Sequence, residues 1–461
     1  MALHRIKQGL DLPLTGSPDQ VVEDAPPVAR VGIIASDFVG MKPRWEIQEG
    51  DVVQRGALLF EDRKNPGVRF TAPGAGKVVS VNQGARRALQ SVVIELNERE
   101  VAGQTTDEDH FAFGSFTGKP VGELGSAAVK ALLAESGAWT ALRTRPFNKV
   151  PAVDSSPHSI FVTAIDTDPL SVDVEIALAG RMEDFHAGLA AVQHLTEGTV
   201  YLCRAPGAAI SGGGLERVRI EEFEGPHPAG LAGTHIHMLD PVSRGKTVWH
   251  LGYNDVADFG ELFRTGRVAV TRIVALGGPA VKRPRLLRTR LGAHLGTLVD
   301  GELSAGEARV ISGSALSGTT SNGDAFGYLG RYARQVTVLL EGRAREFMGW
   351  LMPGFNIFSI VPTFMSALFK EDDQRFDMTT DTMGSDRAMV PIGTYEQVMP
   401  LDIVPTYLLR SMVAGDLEKA EQLGCLELAE EDLALCTVVC PGKYDYGPIL
   451  RETLSTIEAE G

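Results

Sequence analysis

The chain is poor in cysteine, in positive charge and in long apolar runs, and each shortage removes a class of function. Four cysteines in 461 residues (Cys203, Cys425, Cys436 and Cys440) are too few to staple a secreted protein of this size. Residues 1–20 show no charged, apolar, cleavable export pattern, so a reducing cytoplasm is the expected compartment. Against 59 acidic side chains stand 44 lysines and arginines, a formal net charge of -15. Nucleic acid, whose phosphates demand a basic face, is thereby excluded as a partner. The most apolar stretch, Trp350 to Phe369, is broken by Pro353, Asn356 and Pro362, whereas a bilayer needs a run of roughly 20 apolar residues. No transmembrane segment is expected, and that stretch serves either as buried core or as a surface lying against a membrane-embedded partner.

What remains is ample: 44% of residues are apolar, enough for a core in each of three or four domains. The pattern reads as an α/β multidomain protein. Residues 1–100 hold an N-terminal segment and, from Gly50 to Val81, short strands and tight turns that resemble a biotinyl/lipoyl-type barrel-sandwich. Lys64 falls near the lysine that lipoyl carriers acylate, but Asn65-Pro66-Gly67 makes a different, longer hairpin, so the domain is read as structural. Residues 101–265 alternate helical and strand-like runs, a Rossmann-like α/β layer: Ser126 to Leu133 is helical, Ile160 to Ile165 and Val200 to Cys203 are strands. Gly212-Gly213-Gly214 is a loop without the spacing of a dinucleotide site. Residues 266–340, strands and glycine turns, resemble a soluble-ligand-binding β-grasp domain, and 341–461 is mainly helical, with Leu417 to Leu435 rich in Glu, Leu and Ala. Cys436-Thr437-Val438-Val439-Cys440-Pro441 has the tail of a ferredoxin pattern. Three local cysteines fall short of the four thiolates a four-iron cluster takes, and buried thiols are the expectation.

Two stretches of the α/β layer carry the most information. Leu142-Arg143-Thr144-Arg145-Pro146-Phe147-Asn148-Lys149-Val150-Pro151 and Thr163-Ala164-Ile165-Asp166-Thr167-Asp168-Pro169 resemble the glycine-rich loop and the acidic turn with which the NADH-oxidising subunit of respiratory complex I holds flavin and nicotinamide. The glycines are missing. Such a loop must turn through positive φ and bring its N–H groups close to a phosphate. Here Pro146 has no N–H and Phe147 is expected to put its ring where the ligand would lie. The site is therefore read as vestigial, with Arg143, Arg145, Phe147, Asp166 and Asp168 as its remnants. Arg143 and Arg145 are left either as contacts to carboxylates of a partner or as ion-pair partners of Asp166 and Asp168.

The domain order, together with Ile6-Lys7-Gln8-Gly9-Leu10-Asp11-Leu12-Pro13, Gly225-Pro226-His227-Pro228-Ala229-Gly230, Thr247-Val248-Trp249-His250-Leu251-Gly252-Tyr253 and Cys440-Pro441-Gly442-Lys443-Tyr444, resembles the A-subunit family of the bacterial sodium-pumping NADH:quinone reductases (Na+-NQR). That family is related to the NADH-binding polypeptide of complex I and to the C-type polypeptide of the Rnf electron-transfer complex. The resemblance spans nearly the whole chain. It implies a peripheral subunit on the cytoplasmic face of the bacterial inner membrane, in a six-subunit translocase that couples NADH oxidation and ubiquinone reduction to Na+ export. It further implies no catalytic residue and no tightly bound cofactor on this chain, with FMN, FAD, riboflavin and Fe-S carried by the other five subunits, and a link to ubiquinone. A quinone head group needs an apolar slot with one or two donors. Phe38 and Lys42 in one segment and Trp139 in another are the candidate contacts.

Three other readings of the residues stand beside this. One is a flavin-binding NADH:acceptor oxidoreductase. Another is a scaffold that holds the complex together without touching quinone. The third is a zinc hydrolase using His227, His235, His237 and Asp240, since on a strand His235 and His237 would share one face.

Overall fold

The computed structural model describes residues 2–343, 352–369 and 373–460. At its centre is a six-stranded sheet in the order Leu3–Arg5, Val218–Glu224, Val200–Arg204, Ile160–Ala164, Val248–Gly252, Arg143–Arg145. All pairings are parallel except the last. The central strand Ile160–Ala164 is buried at every position, as an unbroken apolar run requires when helices cover both faces. From that strand the chain moves outward to Val200–Arg204 and Val218–Glu224, then returns on the other side as Val248–Gly252. This reversal opens a crevice beyond the carboxyl ends of Ile160–Ala164 and Val248–Gly252, the usual place for a ligand in such sheets.

Helices Met182–Gln193 and Tyr253–Thr265 cross against one another over this sheet. Two glycines set their separation. A Cβ at Gly188 would lie 1.7 Å from the Val256 carbonyl oxygen, and one at Gly260 would lie 1.8 Å from that of Asp184. The helix axes are thus as close as backbone contact allows.

Two small sheets form the barrel-sandwich, Arg30–Ile34, Leu89–Leu96, Gly76–Gln83 and Val52–Val53 in one and Pro43–Trp45, Leu58–Asp62 and Arg69–Thr71 in the other. The β-grasp sheet runs Thr319–Thr320, Ala308–Ser312, Gln335–Leu340, Thr271–Gly277, Arg285–Arg290, Asp19–Asp24. The first 24 residues thus give one strand to the α/β sheet and one to the β-grasp sheet rather than to the barrel-sandwich. The C-terminal unit is built of short helices around Tyr395, Leu408, Leu409, Cys436, Tyr446 and Leu450, and ends in the helix Tyr446–Glu460.

Of the apolar segment Trp350–Phe369, Trp350 and Leu351 lie outside the described residues. The remainder is turns and one short helix, Met365–Leu368, and Met352, Phe355, Leu368 and Phe369 all stand more than half exposed. Among the described residues no helix is long and apolar enough to cross a membrane.

Gly260→Ala should lower the unfolding free energy by about 1–3 kcal/mol, the usual penalty for overfilling a close contact. Urea denaturation measures it, and an exposed control, Gly118→Ala, is not equivalent because Gly118 has a φ of +70°; Gly122→Ala, with open space around it, is the proper comparison.

Candidate functional site

The crevice is a cavity of about 580 Å³ to which all four units contribute. Its floor is the strand ends Thr163 and Gly252. Its walls are the remnant loop (Arg143, Asn148), the acidic turn (Asp166, Asp168), Asp37 from the barrel-sandwich, Arg331 and Arg334 from the β-grasp unit and Glu431 from the C-terminal unit.

The remnant loop closes on itself through Thr144, whose N–H donates to the Lys149 carbonyl at 2.8 Å and whose hydroxyl donates to the Pro146 carbonyl at 2.8 Å. The Arg145–Pro146 peptide is cis, and Phe147 and Asn148 follow at φ of 75° and 55°. Loss of glycine has therefore not removed the left-handed turn; ordinary residues hold it, at a conformational cost of order 1 kcal/mol each. The expectation that the Phe147 ring fills the ligand position needs correcting. With this backbone the ring packs into the C-terminal apolar cluster and does not line the cavity.

The rest of the loop follows it. Arg145 is fully buried, its guanidinium 3.3 Å from both Glu431 and Asp432 and 3.5 Å from His250 Nε2. Arg451 donates to the Phe147 carbonyl at 2.8 Å while pairing in bidentate fashion with Glu430 at 2.6 and 2.7 Å. Lys149 pairs with Glu458. The loop is thus a joint between the α/β layer and the C-terminal unit. Arg145 is neither a free contact for a partner nor a partner of Asp166 or Asp168, because burial leaves it only the acid run Glu430–Asp432. That run also packs against the helix Ala232–Leu239, where a Cβ at Gly233 would fall 2.1 Å from the Asp432 carboxylate. Burial pushes Asp432 up to about 6, against the pull of Arg145.

Asp166 pairs with Arg334 at 3.2 Å and accepts from the N–H of Asp168 at 3.0 Å, and burial pushes it too up to about 6. Asp255 gathers Arg272 and Arg331, at 3.4 and 2.6 Å. Asp37 accepts from the Arg331 N–H at 2.7 Å, and desolvation raises it to about 6. Arg143 lies over the Tyr332 ring, 4.4 Å from its centroid. Its Nε, like the Thr163 hydroxyl, is buried with no hydrogen-bond partner. Arg331, Arg334, Asp37 and Asp255 escaped sequence reading because they come from other units or, for Asp255, from the first turn of a helix outside the quoted loops; only the pair Arg331-x-x-Arg334 and the acid run Glu430-Glu431-Asp432 offered a signal.

The three candidate quinone contacts are not gathered at an opening. Phe38 is 5% exposed and packs edge-on to Phe70. Trp139 is fully buried, packs edge-on against Trp249 and donates its indole N–H to the Pro151 carbonyl at 2.8 Å. Only Lys42 is exposed. A small cavity of about 80 Å³ beside Phe38 and Phe70 is far below the size of a ring-binding slot.

The zinc arrangement is also corrected. His235 and His237 sit on the helix Ala232–Leu239, where residues two apart point to different sides. His235 is buried against the Ala229 carbonyl, its pKa driven down to about 3 by desolvation, so it is neutral. His237 contacts Glu427 at 2.8 Å and accepts from the Asp402 N–H at 2.9 Å. His227 faces Thr167, and Asp240 is held by His158, Ser159 and Lys246. Among the described residues no three metal-type side chains converge. Lys64 is exposed, but its hairpin is anchored by Asn65 donating to the Val150 carbonyl at 3.1 Å. Cys425, Cys436 and Cys440 are buried, and Cys440 Sγ lies 3.1 and 3.3 Å from the hydroxyls of Tyr395 and Tyr446.

Family models match three stretches of the chain: the NqrA N-terminal barrel-sandwich hybrid domain over residues 4–97, the NqrA second alpha/beta domain over 124–268 and the NQRA C-terminal domain over 273–323. Among curated proteins, the A subunit of the Na(+)-translocating NADH-quinone reductase of Pasteurella multocida is 52% identical over 99% of both chains. The A subunits from Saccharophagus degradans, at 52% over 99% of this chain and all of that one, and Vibrio alginolyticus, at 53% over 99% of both, are similar to the same degree.

Arg145→Ala should cost about 3–5 kcal/mol, because it strands buried carboxylates rather than deleting a surface pair; limited proteolysis should release the C-terminal unit first. For Asp37, a folded pKa near 6 against 3.8 unfolded means that the folded state holds the extra proton between about pH 4 and 6, so stability falls as pH rises through that window. Asp37→Asn should therefore gain on the parent protein across it, by on the order of 1 kcal/mol, and track it above, as read from melting temperatures at each pH.

Proposed function

Because the chain belongs to the A-subunit family of the Na(+)-translocating NADH-quinone reductases, and so is one subunit of a multi-subunit, sodium-translocating oxidoreductase, we propose that it works there as a peripheral, cofactor-free component that helps to bind ubiquinone and to hold the complex together. The observation that carries this reading is that the loop resembling a flavin loop works as a joint: its Arg145, and Arg451 which holds its Phe147 carbonyl, are spent on Glu430, Glu431 and Asp432 of the same chain. A flavin or nicotinamide phosphate arriving there would meet carboxylates already in place, and like charges at short range repel it.

Electrons then travel on cofactors of the other five subunits, FMN, FAD, riboflavin and Fe-S, and this chain contributes no catalytic residue. Its place is the cytoplasmic face of the inner membrane. The exposed Met352, Phe355, Leu368 and Phe369 supply the docking surface for a membrane-embedded subunit, since four neighbouring apolar side chains held in water mark an interface rather than scatter.

Purified alone, the chain should be colourless above 350 nm, bind a short-chain ubiquinone in equilibrium titration and ignore FMN and NADH; a stoichiometric flavin band sinks the proposal in favour of a flavoprotein. Exchange of Phe355 and Phe369 for Ser should halve or worse the recovery of membrane subunits with this chain, without a change in its melting temperature.

A further inference from the structure

We propose that the barrel-sandwich hairpin between Leu58–Asp62 and Arg69–Thr71, with Lys42 beside it, is a docking point for an acidic segment of another subunit of the complex. Lys42, Arg63 and Lys64 are the cations that receive it. This docking is independent of quinone and needs only that the chain belongs to a multi-subunit assembly.

The strand Pro43–Trp45 pairs antiparallel with Leu58–Asp62, which sets Arg44 opposite Glu61 and Pro43 opposite Asp62. One step further the Arg63 N–H donates to the Lys42 carbonyl at 2.8 Å, so Lys42 and Arg63 also stand opposite one another. Facing residues on paired strands share a side of the sheet, and like charges there are destabilising. Nearer the middle of the strands the ordinary solution is in place: Arg44 pairs with Glu61 and, at 3.7 Å, with Glu46. At the hairpin end it is not used. Lys42, Arg63 and Lys64 are all exposed, and none has an ion-pair partner among the described residues. In a chain with 59 acidic against 44 basic side chains, three neighbouring cations left together and unmatched are a departure whose cost a partner would repay.

The platform beneath them is fixed. Asp62, the acid between them in sequence, is 9% exposed and turned inward, where its carboxylate accepts the N–H groups of Lys42 and Lys64, each at 3.0 Å. Asn65 ties the turn to the Val150 carbonyl at 3.1 Å, and the Val68 N–H closes it on the Asn65 carbonyl at 3.2 Å. This carboxylate is thus spent on backbone, and the three cations rise from a preordered rim. Preordering lowers the entropic cost of binding, and Arg63 adds a fork that matches a carboxylate.

Charge decides the class of partner. An anionic bilayer is broad and also meets the surplus acids of a chain of net charge -15, and basic clusters that bind lipid hold about four to eight cations. Salt confines the reach of each exposed charge to about 8 Å. A narrow acidic segment of polypeptide therefore feels the three cations and little of the acids elsewhere.

The test is carbodiimide cross-linking of the assembled complex, read by mass spectrometry, since this reagent joins a lysine amine to a carboxylate only where the two touch. Expected are cross-links from Lys42 and Lys64 to one Asp- or Glu-rich stretch of another subunit, fewer at high salt. The triple variant Lys42→Ala, Arg63→Ala, Lys64→Ala should melt at the parent temperature or above it. Co-expressed with the parent chain, it should be under-represented in the assembled complex by about 3- to 100-fold, the summed worth of three exposed ion pairs. The charge-preserving pair Lys42→Arg, Lys64→Arg should be incorporated like the parent. Cross-links confined to this chain or absent, or equal incorporation of the triple variant, overturn the proposal. Capture of the full chain by phosphatidylserine vesicles, lost in the triple variant, overturns it too and makes the hairpin a lipid contact.

Discussion

A buried positive charge at the junction of two units constrains everything around it. Arg145 has no access to water, so it must be matched from within the chain, and the match comes from nearly 290 residues away in Glu431 and Asp432. Once that pairing is fixed, the neighbouring contacts of Phe147, Lys149 and Arg451 fall into register. The C-terminal unit is thereby pinned to the antiparallel edge strand of the α/β sheet and forms one wall of the cavity. A pair of this kind contributes little net stability over an apolar replacement but is costly to break, which suits a joint that must have one geometry.

The same pairing shows how the crevice of an α/β sheet comes to be lined by acids of the chain itself. Helix N-termini attract negative charge, and the Asp432 carboxylate packs against Gly233 in the first turn of the helix Ala232–Leu239. Tyr253–Thr265 has Asp255 in its first turn, held between Arg272 and Arg331. Acids of the protein thus meet the first turns of both helices and are matched by arginines of the same chain.

Much of this was legible in the sequence where the signal was local. The central strand and the helix after Ser126 follow from apolar spacing, and the family follows from motifs scattered over the whole chain. Local signal also misled. The histidines at 235 and 237 lie in a Gly- and Pro-rich neighbourhood that reads equally as strand, yet tertiary packing makes it a helix and separates the rings. Missing glycines suggested a blocked loop, whereas Phe147 and Asn148 hold the same left-handed turn and send the ring away from the cavity. Trp139 and Phe38 illustrate a further limit, since composition cannot tell an aromatic at a binding slot from one in a core. The cavity itself was out of reach, because Asp37, Arg331, Arg334 and Glu431 meet only when four units assemble.

The placement of the first two strands has a bearing on how the molecule is made. Leu3–Arg5 waits for Val218–Glu224, and Asp19–Asp24 waits for Arg285–Arg290. Both strands are made long before their partners exist, so the first must stay unpaired until residue 224 has been synthesised and the second until residue 288. Folding cannot simply proceed one domain at a time in the order of translation, and such long-range closure is slow and exposes strand edges meanwhile. A single polypeptide made this way resists separation into its parts: the beginning of the chain acts as a seam sewn last, through two domains at once.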